Sequence, residues 1–179
     1  MNTSNPAVLF IPNLIGDTQH LFDVINKNTP WDTRLSARKT ASFGVAYQYS
    51  NLFYPKTAMP DWSLPILEKI QQYCHFTPNN CLINYYKDGQ DRMGFHSDDT
   101  SQMQPHTGVA IISLGAEREI VYQRKDNRTI ETRYLLTNGS LLYMDDTVQD
   151  TWLHAILKDD STTPRISLTF RKLNNDIAF

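Results

Sequence analysis

The chain has 179 residues, of which 40% are hydrophobic and 11% aromatic, a composition that supports a packed core and excludes disorder. Its formal net charge of −2 lacks the basic excess of a dedicated duplex-DNA binder, whose affinity comes largely from neutralising phosphates. No run of 18 apolar residues suggests a membrane span, and Met1 to Leu9 lacks the basic-then-apolar order of a secretory signal, so a cytoplasmic protein is expected, or a nuclear one if the source is eukaryotic.

Residues 7–11 (AVLFI) read as a short strand. Asp17 to Asn26 has helical spacing at Leu21, Val24 and Ile25, with Asp17 or Thr18 as N-cap. Trp31 to Pro60 follows as an irregular stretch rich in Tyr, Phe, Ser and Pro. A second helix is predicted over Leu64 to Tyr73, with Ser63 as N-cap and Pro65 in the first turn. Cys74 and Cys81 read as reduced thiols rather than a disulfide framework.

From Cys81 onward the texture is that of short β-rich runs: CLINYY, HTGVAIISL, EIVYQ, IETRYLL, SLLYM, TWLHAIL and RISLTFRK. Turn signals such as Asp88-Gly89 and Asn138-Gly139 separate them. This spacing predicts a double-sheet jelly roll over about 81–173, with two N-terminal helices buttressing one sheet. No repeat or linker interrupts the chain, so residues 1–179 are expected to form one α+β, mainly β, domain. For the basic groups Arg34, Arg38, Lys39, Arg124, Lys125, Arg128 and Arg133, a solvated surface is as good a reading as a nucleic-acid patch.

The segment Met93-Gly-Phe-His-Ser-Asp-Asp99 carries the most chemistry. His96 and Asp98 are two apart, so on an extended backbone both side chains leave one face. With a distant histidine they make the two-imidazole, one-carboxylate set of non-haem iron(II) oxygenases, which keeps coordination positions open for an oxo acid and dioxygen. Among His20, His75, His106 and His154, the last lies in a late strand run, TWLHAI, and is the choice for the third ligand.

In PRISLTFRK, Arg165, Ser167, Thr169 and Arg171 share one face and Ile166, Leu168 and Phe170 the other. Two inward arginines need an anion, and a dicarboxylate suits them; an edge strand with both arginines in solvent is the alternative. Asn84 and Tyr86 also share a face and can donate to a carboxylate, or serve only as polar partners within a strand.

Taken together, NYYKDGQDRMGFHSDD (84–99), SLGAEREI (113–120), NGSLLYM (138–144), TWLHAI (151–156) and PRISLTFRK (164–172) resemble the AlkB family of nucleic-acid dealkylating dioxygenases. The resemblance implies iron(II) at His96, Asp98 and His154, which also makes these the catalytic residues. It implies 2-oxoglutarate as cosubstrate and O2 as oxidant. Arg165 and Tyr86 would hold the distal carboxylate, and Asn84 and Arg171 the one beside the keto group. Ser167 stands where the family often has Asn. Asp99 matches an acceptor for the exocyclic amine of a damaged base, and residues 42–49 match a substrate lid within about 31–60. In that lid Phe43 is the expected base-stacking residue and Tyr47 the second candidate.

The implied reaction is oxidative demethylation of 1-methyladenine- or 3-methylcytosine-type bases in DNA or RNA, releasing formaldehyde, succinate and CO2. A base inside a duplex must be flipped to reach the metal. No match to the aromatic wedge of duplex-acting members is found, which favours a single-stranded nucleic acid as partner. A monomer without membrane association is expected. The competing reading is a 2-oxoglutarate-dependent oxygenase acting on a small metabolite or a protein side chain.

Overall fold

The computed structural model describes residues 5–174. Its elements are β1 (Val8–Ile11), α1 (Thr18–Asn28), β2 (Lys39–Gly44), β3 (Tyr47–Tyr49), β4 (Leu52–Tyr54), α2 (Leu64–Cys74), β5 (Asn80–Tyr86) and β6 (Met93–His96). There follow β7 (Val109–Gly115), β8 (Arg118–Arg124), β9 (Glu131–Leu136), β10 (Leu141–Met144), α3 (Asp146–Thr151), β11 (Trp152–Ile156) and β12 (Arg165–Arg171). One sheet has the order β1-β10-β7-β12-β5-β2, a second β6-β11-β8-β9, and β3 pairs with β4 as a hairpin.

Strand period sorts the side chains into two apolar layers. Ile166, Leu168 and Phe170 of β12 join Ile83, Ile112 and Leu114 on the outer face of the large sheet. Phe22 and Ile25 of α1 and Ile66 and Ile70 of α2 cover that layer, so the helices do buttress one sheet. On the inner face, Leu82, Val109 and Leu142 meet Ile120, Tyr122 and Trp152 of the smaller sheet. β12 lies between β5 and β7, and all seven of its residues are buried. That excludes an edge strand with solvated arginines.

One local reading needs correction, and the two expected N-cap residues lack a capping bond from their side chains. Residues 31–60 are not irregular throughout: β2 extends the large sheet by pairing with β5, from Lys39↔Tyr85 to Gly44↔Asn80. Its sequence, KTASFG, is a weak strand former, and a partner some forty positions away supplies the ladder. Ser63 occupies the N-cap position of α2 but makes no side-chain capping bond: it ends a 3-10 turn, Asp61–Ser63, and its hydroxyl donates to the Pro60 carbonyl at 2.6 Å. Asp17 precedes α1 in the left-handed region (φ 41°) without a side-chain capping bond. The unforeseen helix α3 does have a cap, with Asp145 accepting from the Val148 N–H at 3.2 Å.

The β3–β4 hairpin turns through Ser50 and Asn51, both at positive φ (48° and 63°), the geometry whose twist matches two-residue hairpins. Before it, Gly44 sits at φ 92°, where a Cβ would come 2.0 Å from the Asn79 carbonyl oxygen. Only glycine lets the chain leave β2 and enter the hairpin there. Among the described residues no helix is long and apolar enough to cross a membrane.

Candidate active site

Antiparallel register brings the two histidines together: His154 on β11 lies opposite His96 on β6, with ring centroids 4.3 Å apart. Asp98 follows β6 by two residues, and its backbone N–H donates to Gln149 Oε1 of α3 at 2.8 Å. One ligand atom from each of His96, Asp98 and His154 lies within 4.8 Å of the others. His20, His75 and His106 are exposed and have no part in this cluster.

The donor set fits an iron(II) ion. His96 Nδ1 lies 2.9 Å from the Gly94 carbonyl oxygen; an N–H there donates, which leaves Nε2 with its lone pair for a metal. Arg171 Nη2 donates to Asp98 Oδ1 at 2.8 Å, whereas Oδ2 is buried without a donor, 4.0 Å from His154 Nε2. An orphaned carboxylate oxygen is costly unless a cation meets it. Burial pushes the Asp98 carboxyl upward, but Arg171 and the two histidines outweigh it and bring its pKa down to about 2. Burial holds His154 neutral, with its pKa down to about 3 despite the pull of Asp98. An ionised carboxylate and a neutral imidazole are the ligand forms a metal requires, and three protein ligands leave room for exogenous ones.

Behind the triad, an inner cavity is lined by Asn84 and Tyr86 of β5 and by Arg165, Ser167, Thr169 and Arg171 of β12. The two arginines differ in a way strand period does not reveal. Arg171 already has a carboxylate in Asp98, so it does not depend on an outside anion. Arg165 is 1% exposed and forms no ion pair among the described residues. Its Nη2 donates to Ser113 Oγ at 2.9 Å, while Nε and Nη1 have no partner. Its guanidinium lies 5.2 Å over the Tyr86 ring, and burial lowers its pKa to about 10. A cation held at that cost calls for an anion in the cavity.

An open groove leads to the triad between the β3–β4 hairpin (Tyr47 to Asn51) and the segment from Met93 to Gln102. Asp99 is exposed there; its oxygens accept from the Ser101 N–H at 2.9 Å and from Gln102 Nε2 at 3.3 Å. Tyr47 is 2% exposed and forms the floor, stacked on Tyr49 at 6.1 Å and under the Arg171 guanidinium at 5.3 Å. Burial raises its phenol to about 12.

Phe43 is not in this groove. Opposite Cys81 in the register, it faces the helices and meets Trp62 edge-on at 6.4 Å. One residue of strand parity separates the groove side from the helix side, so Phe43 packs under the helices instead of taking the expected base-stacking place. Tyr49, half-buried, lines the groove together with Tyr47 and Phe95.

Several site residues escaped the sequence reading. Arg38 is 8% exposed rather than solvated and reaches Asn84 and Tyr49. Recognising β2 would have exposed it, because position 38 shares parity with Thr40, which lies opposite Asn84. Gln149 carried no signal of its own. The reading of the other basic groups as surface is met at Arg34 and Arg133, which pair with Asp32, Glu119 and Glu131, whereas Arg124, paired with Asp126, is 12% exposed.

The 2OG-Fe(II) oxygenase superfamily profile matches residues 18–171. DNA oxidative demethylase ALKBH2 of Mus musculus is 36% identical over 151 residues, covering 76% of this chain and 62% of that protein. The Homo sapiens ALKBH2 protein is also 36% identical, over 76% of this chain and 56% of its own length. Alpha-ketoglutarate-dependent dioxygenase alkB homolog 3 of Mus musculus is 30% identical over 87% of this chain and 62% of that protein. The chain thus spans 56% to 62% of the length of these relatives. The solved structure of OsALKBH1 shares the fold, with a TM-score of 0.70 at 14% identity, over 94% of this chain and 99% of that one. With a profile match from α1 to the end of β12 and the His-Asp-His triad assembled inside a double-sheet barrel, the chain belongs to the 2OG-Fe(II) oxygenase superfamily, as an AlkB-type member.

Proposed function

We propose that the protein is an iron(II)- and 2-oxoglutarate-dependent dioxygenase that removes N-linked methyl groups from nucleobases of the 1-methyladenine and 3-methylcytosine type in DNA or RNA. The observation that carries the proposal is the unpaired buried cation Arg165 in the same cavity as the unsatisfied Asp98 oxygen. A metal and a dicarboxylate resolve both deficits. When bound, iron(II) with 2-oxoglutarate supplies oxidation of the N-methyl carbon by dioxygen, with succinate, CO2 and formaldehyde as the other products.

The chain's own residues bind and orient. His96, Asp98 and His154 hold the metal. Arg165 and the Tyr86 hydroxyl take the distal carboxylate, with Ser167 beside them, and Asn84 and Arg171 take the carboxylate next to the keto group. Arg171 has Nε and Nη1 free of partners, so it can serve that anion while holding Asp98. Asp99 accepts from the exocyclic amine of the base, and Tyr49, backed by Tyr47, offers the stacking face.

Arg38 is the cation among the groove-lining residues, and three neutral acceptors already engage it. A second strand's phosphates find little there to neutralise. This supports single-stranded rather than duplex nucleic acid as the partner. The same observation and the net charge of −2 favour the second reading, a metabolite-sized substrate.

The test is an anaerobically reconstituted assay on single-stranded oligonucleotides carrying 1-methyladenine or 3-methylcytosine, started with dioxygen and read by mass spectrometry. Methyl loss that requires 2-oxoglutarate is expected. Succinate formation with the methyl retained would leave the iron site standing and sink the nucleobase substrate. In the same assay Phe43→Ala should keep the wild-type KM while losing about 1–3 kcal/mol of stability, less than a fully buried Phe would cost. A raised KM without loss of stability would return Phe43 to the groove.

A further inference from the structure

One guanidinium joins three parts of the site. Arg38 precedes β2 and is 8% exposed, with no ion pair among the described residues. Its Nε donates to Asn84 Oδ1 at 2.8 Å in the inner cavity. Its Nη2 donates to the Tyr49 hydroxyl at 2.5 Å on the β3–β4 hairpin. Its Nη1 donates to the Arg92 carbonyl at 3.3 Å, directly before the strand that carries His96.

Arginine only donates, so it dictates what its partners do next. Asn84 must turn its carbonyl oxygen to Arg38, which directs its NH2 group to the remaining side, where the cavity lies. Tyr49 must accept, so its own proton points elsewhere, and the Met93 sulfur lies 4.0 Å from that hydroxyl.

We infer that Arg38 is a positioning residue that ties cosubstrate binding to closure of the β3–β4 hairpin. The inference rests on the 2-oxoglutarate reading of the inner cavity. An anion accepting from the Asn84 amide polarises it and strengthens the bond to Nε. Arg38 is then held where Nη2 meets Tyr49, and the hairpin closes over the groove. In the other direction, opening the hairpin deprives a buried guanidinium of one acceptor, which is costly. The coupling is reciprocal, as linkage requires.

The experiment uses the full chain loaded anaerobically with manganese(II), so that no turnover occurs. Wild type, Arg38→Met, Arg38→Lys and Tyr49→Phe are compared by calorimetric titration with 2-oxoglutarate and by amide hydrogen exchange across residues 47–54. In wild type, 2-oxoglutarate is expected to slow exchange in that segment. Arg38→Met should bind 2-oxoglutarate about tenfold more weakly, the scale of a hydrogen bond from a charged group, and its hairpin should not respond. Arg38→Lys should not restore the response, because a point charge cannot span three acceptors. Tyr49→Phe removes only the hydroxyl acceptor; it should lose the hairpin response and, by the same reciprocity, bind 2-oxoglutarate more weakly than wild type but less so than Arg38→Met. It also serves if Arg38→Met does not fold.

Full ligand-induced protection in Tyr49→Phe, or unchanged affinity and protection in Arg38→Met, overturns the role of Arg38. A wild type that takes up no 2-oxoglutarate overturns the cosubstrate reading, and this inference with it. Failure to demethylate an oligonucleotide bears on neither.

Discussion

Asp98→Ala abolishes iron-dependent consumption of 2-oxoglutarate and destabilises the protein at the same time. Asp98 supplies the one carboxylate of the triad, and its Oδ1 is the counter-charge of Arg171 at 2.8 Å, with both side chains almost fully buried. Loss of a supporting contact around a metal typically costs about 10–100-fold in affinity or activity, and loss of the carboxylate itself should exceed that. Removing one partner of a buried pair costs about 3–5 kcal/mol, because the other charge remains. Iron content after anaerobic reconstitution and the thermal unfolding midpoint read the two effects separately. Asp98→Ala combined with Arg171→Met should recover much of the stability and none of the iron. Full iron retention in either variant would remove Asp98 from the ligand set.

The same pair and its neighbour set the acid limb of stability in the metal-free protein. The pKa of Asp98 lies near 2, below its ordinary 3.8, so its contribution is complete above the ordinary value and is lost as pH falls toward 2. His154 lies near 3 against an ordinary 6.5. Between those values the unfolded chain binds a proton that the native state refuses, so stability falls as pH drops through that window. Denaturant midpoints measured from pH 7 to pH 4 should decline in wild type and decline less in His154→Ala.

Arg165→Met is the second large effect, and it separates ligand binding from stability. A guanidinium with two unpartnered nitrogens at 1% exposure burdens the empty fold. Replacing buried ionic groups with apolar ones of similar volume often gains about 1–4 kcal/mol, so the unliganded variant should be at least as stable as wild type. Its affinity for 2-oxoglutarate should fall by about 2–5 kcal/mol, or roughly 30-fold and more, as when a buried charge loses its partner. Thermal unfolding with and without 2-oxoglutarate reads both quantities. A ligand at about 100 times its Kd adds about 2.7 kcal/mol to the native state; wild type should show that gain and Arg165→Met should not. A variant that is less stable yet still gains from 2-oxoglutarate would make Arg165 structural.

Much of this was open to a reader of the sequence because strand period is a local property. RISLTFR alternates strictly, so its arginines had to share a face opposite Ile166, Leu168 and Phe170, and they do. His96 and Asp98 two apart, with His154 in a strand of its own, allowed the triad to be assembled from two short segments. Side-chain alternation does not say which layer a strand belongs to when its own pattern is weak. KTASFG was passed over as a strand, and with it went the parity that turns Phe43 toward the helices and Arg38 toward Asn84.

Pairing of charges is likewise not a local matter. The sequence by itself determined the barrel, its buttressing helices and the pairing of His96 with Asp98 on one face, because each is written in spacings of two to four residues. Only the tertiary structure decided that Arg171 meets Asp98 while Arg165 meets no carboxylate among the described residues, and that Tyr49 rather than Phe43 lines the groove. Those outcomes depend on which distant strands lie side by side, and burial is what gives such non-local contacts their energetic weight.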